Sequence, residues 1–145
     1  MTSKETPQLI KLEICLYKQK DITSDEFINW VTKEYHLKAA PLMRKHGIVQ
    51  WAQTITPPHF REPMREAFVL QMGRTNWTVA EYDIVMTYWL RSLNDMAALV
   101  QDPEWIELEK EAWRWGNMDI GHVVVGHEII QLYPDGSMAR RENAV

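Results

Sequence analysis

The chain opens on an alternation. Within Gln8–Lys18, Ile10, Leu12, Ile14 and Leu16 alternate with Lys11, Glu13, Cys15 and Tyr17, the period of a two-faced strand. The period then lengthens: Phe27, Trp30, Val31 and Tyr35 recur at helical spacing, after Thr23 or Ser24 as N-cap and with Asp25 and Glu26 in the first turn, where their charge favours the helix dipole. Pro41 ends, kinks or restarts this helix, and Gly47 stops it. A second alternating segment, Ile48–Thr56, is closed by Pro57-Pro58. The stretch His59–Trp77 carries Pro63, which suits the first turn of a short helix, and then Met64, Ala67, Phe68 and Gln71 at helical spacing. Glu81–Leu90 predicts a third strand, Ser92 begins a further helix, and Asp102-Pro103 caps another over Glu104–Asn117. His122–Tyr133 predicts the last strand, ended by the turn Pro134-Asp135-Gly136.

The series is β-α-β-(inserted helix)-β-α-β. Without the helix inserted between strands 2 and 3 it is the ferredoxin-like α+β arrangement, βαββαβ, with a four-stranded antiparallel sheet and its helices on one face. The other face then needs cover. A partner subunit is the usual cover, and two such sheets facing each other make a barrel across a homodimer. One domain over residues 1–145 is expected, with 1–6 and 137–145 flexible.

Composition narrows the picture. A chain of 145 residues, 46% hydrophobic and 25% charged, matches one globular domain with a real core. Its net charge of −4 offers no electrostatic reason to bind nucleic acid or an anionic membrane. The single Cys15 cannot form an intrachain disulfide, the N-terminal residues do not read as a signal peptide, and no apolar run is long enough to span a bilayer, so a cytoplasmic protein is expected. Seven Trp suit a cavity for a flat ligand as well as they suit a core. No HxxxH, HExxH, CxxC or facial-triad spacing occurs, nor a glycine-rich phosphate loop, and no cofactor or metal is expected.

Four segments in order carry a resemblance: "DEFINWVTKEYHLKAAPLMRKHGI" from Asp25, "YDIVMTYWL" from Tyr82, "DPEW" from Asp102 and "GHEII" from Gly126. Together they resemble the EthD group of dimeric α+β barrel proteins, nearest the fungal branch that acts on aromatic polyketides as atrochrysone-carboxylate decarboxylases and related dehydratases or cyclases. The resemblance implies cofactor-free chemistry on a polycyclic phenolic acid or ketone, in a cavity between sheet and helices.

Candidate residues follow from both sources. Asp83 shares a strand face with Val85, Thr87 and Trp89, and the resemblance puts this position inside the pocket. Burial there would raise its pKa and make it a proton donor or base; the alternative is a solvated or turn-capping acid at the strand start. His122 and His127 are five apart, so an ideal strand sends them to opposite faces and they form no same-face metal pair. His127 joins Val123, Val125 and Ile129, where a neutral imidazole could shuttle a proton. The fungal relatives more often carry a large aromatic there, which signals either altered chemistry or a packing swap. A regular helical wheel turns His36 roughly 140° from the buried stripe, toward solvent. The resemblance instead marks "EYHLKAAPL" as a histidine followed by a proline near the cavity mouth, which makes His36 the best histidine candidate. His46 reads as a helix C-terminal residue bonding the last carbonyls, and His59 as a surface residue on a lid-like insertion. The resemblance lines the pocket with Trp105; Trp89, Trp51 and Phe68 complete the candidate substrate wall, while Tyr35 and Tyr88 read as core.

The leading expectation is a lyase. Loss of carbon dioxide from a β-keto acid leaves an enolate that needs a donor and a proton; loss of water needs a base at the α-carbon and an acid at the leaving hydroxyl. His36, Asp83 and His127 would divide these transfers. The alternatives are a polyketide cyclase, a cofactor-free anthrone oxygenase and a non-catalytic polyketide-binding protein.

Overall fold

In the computed structural model, which describes residues 8–140, the first alternating segment forms β1, Ile10–Lys18, and it pairs along both edges. β3, Ile84–Leu90, runs antiparallel on one side with Ile10 opposite Leu90, and β4, Gly116–His127, runs antiparallel on the other with Ile10 opposite His127. β2, Gln50–Ile55, joins the outer edge of β3, giving the order β2-β3-β1-β4. This is the ferredoxin-like α+β sheet that the periodicities predicted.

The helical stretch after β1 has three parts: α1, Ser24–Trp30; a π-helical turn, Val31–Tyr35; and α2, His36–Lys45. Thr23 and Glu26 form a capping box, each side chain accepting the other's backbone N–H at 3.1 and 3.2 Å. Pro41 sits inside α2 without ending it. The interruption lies upstream, in the π turn, and Gln53 of β2 donates to the Val31 carbonyl at 2.9 Å. The insertion after β2 is a 3₁₀ turn, Pro58–Phe60, then α3, Arg61–Arg65, and a second π turn, Glu66–Gln71. Ser92 caps α4, Leu93–Gln101, and Asp102 caps α5, Pro103–Ala112, its Oδ1 accepting the Glu104 N–H at 2.9 Å.

The core lies between these helices and one face of the sheet, where Leu12, Ile84, Met86, Tyr88 and Leu90 meet Phe27, Trp30, Val31, Tyr35, Leu99 and Leu108. Two strand boundaries correct the periodicity. β3 begins at Ile84, which leaves Asp83 just outside it. β4 covers Gly116–His127 rather than His122–Tyr133: its ladder with β1 ends at the Ile10–His127 pair, where β1 itself begins. At its other end β4 continues across a bulge opposite Leu16 and Tyr17.

Beyond β4 the chain turns at Gly136, with φ near +89°, and Leu132 bridges Met138. Ser137–Arg140, expected to be loose, are thus the return arm of a small hairpin, whereas 1–6 and 141–145 lie outside the described residues. The helices leave β4 uncovered: Ile120, Val123, Val124 and Val125 are each more than half exposed. Among the described residues no helix is long and apolar enough to cross a membrane.

Candidate active site

The π turn decides where His36 points. A turn with i→i+5 bonding inserts one residue and rotates all that follows by about 100° relative to a regular helix. His36 begins α2 directly after it; the residue is half-buried, and its Nδ1 is buried with no hydrogen-bond partner among the described residues. On β2, facing the helices, the indole N–H of Trp51 is also buried; it meets no acceptor at good hydrogen-bond geometry, its nearest polar interaction being with the Tyr88 hydroxyl across the ladder. Buried polar atoms are nearly always paired. Two such atoms in the helix–sheet layer mark a place suited to a bond from something other than this chain.

Aromatic rings frame that layer. Tyr35 meets Trp51 edge-on at 6.0 Å, Trp51 lies over Tyr88 at 6.4 Å, and Trp30 touches Tyr35 at 5.0 Å while stacking on Trp115 at 5.3 Å. Burial pushes the Tyr35 phenol well up, and the Glu109 carboxylate adds to it. Burial does the same to Tyr88, aided by Tyr35 and Glu109 and opposed by a hydrogen bond from Trp51, so both hydroxyls stay protonated near neutral pH. Glu109 itself accepts the Trp105 indole N–H at 3.0 Å. At its edge the layer opens into a pocket of about 310 Å³ lined by Trp30, Tyr35, Leu37 and Leu108 together with Lys38 and Glu111, which form an ion pair at 2.8 Å. The same pair borders a groove of about 970 Å³ between α2 and α5.

His36 and Trp51 each bury a nitrogen, on α2 and β2 respectively, but the pockets beside α2 are lined by Tyr35, Leu37 and Lys38 and not by His36. Trp105 belongs to the helix–sheet layer, as a core residue 4% exposed. Asp83 and His127 are elsewhere. The Asp83 Oδ2 accepts the Lys18 N–H at 2.8 Å and the Asp83 N–H reaches the Leu16 carbonyl at 2.9 Å, closing one end of the β1–β3 ladder. His127 stands at the other end, exposed, with Nδ1 3.2 Å from the Leu9 carbonyl. Seven residues of strand at about 3.3 Å each separate these ends by roughly 20 Å, and alternation puts the two on opposite faces. His36, Asp83 and His127 do not converge within one chain, which corrects the expectation that they divide the proton transfers of one pocket. Trp89 lies in the Asp83 row, donating to Glu128 Oε1 at 3.3 Å beneath the Lys11 ammonium. Phe68 is exposed on the insertion, 5.9 Å from Trp77.

Periodicity missed Glu109 and misjudged His46. The His46 backbone does close α2, but its Nε2 meets Asp102 Oδ2 at 2.7 Å, where Lys45 Nζ also bonds at 2.8 Å. Hydrogen bonds from Lys45, then His46, then the Glu104 N–H hold the Asp102 carboxyl well below the usual carboxylate range. The Asp-Pro cap was visible in the sequence; its partner 56 positions away was not.

Residues 19–115 match the family described as the EthD domain. The chain belongs to the EthD domain family. The EthD match runs from the end of β1 to the start of β4 and so includes His36, Trp51, Tyr88 and Glu109, but not His127. Over 133 residues this EthD chain is 26% identical to the dehydratase iacD of Pestalotiopsis fici, covering 90% of this chain and 93% of that protein. Over 100 residues it is 29% identical to a putative oxygenase of Aspergillus terreus, covering 68% and 61%. Among solved structures, PA3566 of Pseudomonas aeruginosa shares the fold at a TM-score of 0.51 and 6% identity, over 84% of this chain and 95% of that one.

Proposed function

We propose that this EthD protein is a cofactor-independent lyase that dehydrates or decarboxylates an aromatic polyketide, with His36 as its acid–base residue. The buried, partnerless Nδ1 of His36, one residue after Tyr35 of the Tyr35–Trp51–Tyr88 ring cluster, carries the reading. The near full-length similarity to a fungal dehydratase supports the reaction class. In a dehydration, His36 takes the proton on the carbon next to a ketone, the bond to the β-hydroxyl breaks as the double bond forms, and the imidazolium returns the proton to the leaving oxygen as water. In a decarboxylation, loss of carbon dioxide leaves an enolate whose carbon the imidazolium protonates. Either way, negative charge gathers on the ketone oxygen, and the Trp51 N–H with the Tyr35 and Tyr88 hydroxyls are donors suited to it. The pocket beside the Lys38–Glu111 pair, lined by Tyr35 next to His36, is the way in.

The same proposal includes a homodimer closed along β4. That strand has one unpaired edge and an exposed β-branched run, Val123–Val125, which in a lone chain would invite aggregation.

The test is purified protein with anthraquinone-type carboxylic acids and β-hydroxy ketones, with and without oxygen, following product masses. The expected result is loss of water or carbon dioxide without oxygen, abolished by His36→Asn. No conversion of any compound under either condition overturns the lyase. Conversion that needs oxygen replaces it with an oxygenase, the reading the Aspergillus relative favours.

A further inference from the structure

The sheet face turned away from the helices carries a second group of reactive side chains. Tyr82 leads into β3, His122 stands on β4, and Cys15, the Cα partner of His122, lies on β1 between them. The Tyr82 hydroxyl and His122 Nδ1 are 2.7 Å apart, with their rings inclined at 66°. Tyr17 flanks Tyr82 at 5.2 Å, and Cys15 is 7% exposed. The Tyr82 backbone is pinned as well, its carbonyl accepting from the Thr56 hydroxyl and from Arg61 at 3.0 Å. Burial, then Cys15 and Tyr17, hold the Tyr82 phenol above its ordinary value, so its proton is kept and either atom of the pair can donate, according to the imidazole tautomer.

Tyr17 and Tyr82 also line a groove of about 560 Å³, whose remaining walls come from the insertion and the loop after it: Val69, Trp77 and Val79, with Arg65 among them. Trp77 presents an exposed indole backed by Phe68 at 5.9 Å and by the Arg74 guanidinium at 5.4 Å. The volume is in the range of small-molecule sites, and ring faces on apolar walls suit a flat ligand. Arg65, paired only at the surface with Glu62, is a fork for a carboxylate. The titratable groups around the phenol–imidazole pair are Cys15, Tyr17, Arg65 and Glu81.

We propose that this groove is a second ligand site, for a flat phenolic carboxylate, in which the Tyr82–His122 pair is a proton relay. The ligand carboxylate pairs with Arg65. The ligand phenol passes its proton to the Tyr82 oxygen while the Tyr82 proton moves to His122 Nδ1, leaving a bound phenolate, a neutral Tyr82 and an imidazolium. Release runs the same transfer backward. The site lies on the other side of the sheet from His36 and does not rest on the lyase reading.

The probe is a hydroxycoumarin carboxylic acid, whose phenol and phenolate absorb at different wavelengths, titrated with the full chain at a pH below its phenol pKa. Saturable binding with growth of the phenolate band is expected. Tyr82→Phe removes that band and weakens binding about tenfold, the value of one lost hydrogen bond. His122→Gln removes the band, whereas His36→Asn keeps both band and affinity. Absence of saturable binding, or a phenolate band in Tyr82→Phe equal to that of the parent, overturns the proposal. Light scattering accompanies each variant because His122 lies on the bare strand. Tyr82, outside β4, decides the matter alone if the His122 variant changes its assembly.

Discussion

β3 and β4 flank the same strand and face opposite fates. The helix-side residues of β3, Ile84, Met86, Tyr88 and Leu90, are at most 4% exposed, whereas Val123 on the corresponding face of β4 is 62% exposed. Both strands are apolar and both pair with β1 over most of its length. The difference is cover: the helices roof β2, β3 and β1 and stop there. Over β3 the packing is dense enough that a partnerless nitrogen is conspicuous, and this singles out His36 and Trp51. On β4 only Met118 packs against the core, while Ile120 and Val123–Val125 stand bare, which is why a second copy is inferred there.

Four measurements break or sharpen this contrast. The largest expected effect is on chemistry: His36→Asn lowers turnover at least about a hundredfold, the usual weight of a general acid–base group, with the unfolding midpoint nearly unchanged. A lowered midpoint with normal turnover per folded molecule would make His36 a packing residue. Next comes stability. Leu99→Ala, in the covered layer, costs about 2–5 kcal/mol by denaturant titration, while Val124→Ala on the bare strand costs no more than about 0.5 kcal/mol at concentrations too low for assembly. Equal losses would erase the contrast. Third, Val123→Lys with Val125→Lys is expected to halve the particle mass in light scattering while far-ultraviolet dichroism stays the same; an unchanged mass moves the seam off β4. The smallest effect is at acid pH. The Asp102 carboxyl is depressed in the folded chain, so its contribution is full above its unfolded value of about 3.9 and is lost as pH falls through the folded one. Asp102→Asn should lower the melting temperature at neutral pH and flatten its decline below about pH 4. Parallel acid limbs would mean that Lys45 and His46 add nothing to the helix layer.

Much of the fold was legible because it rests on local chemistry. The alternation at Ile10–Leu16, the cap at Thr23, and the Ser92 and Asp102 starts each declare themselves within a few residues. The site was less legible, for three physical reasons. A π turn has no side-chain signature, so a regular wheel keeps Tyr35 on the buried stripe but misdirects His36 just after it. Alternation assigns Asp83 and His127 to faces but says nothing of register, and only register shows that they stand at opposite ends of the sheet. The pairs His46–Asp102 and Tyr82–His122 join residues on different elements, which no spacing along the chain encodes.

The strand order carries a consequence for how the protein is made. β1 leaves the ribosome before the other strands of its sheet, yet its second neighbour is the last of them to follow. Until Gly116–His127 has emerged, a central strand with apolar Ile10, Leu12, Ile14 and Leu16 has one edge unfilled. A product truncated before Gly116 would keep that edge for good, and an open apolar edge is a template onto which other chains add. β4 is thus the quality mark of a finished sheet, and products truncated before it should partition to chaperones or inclusion bodies rather than accumulate as small folded fragments.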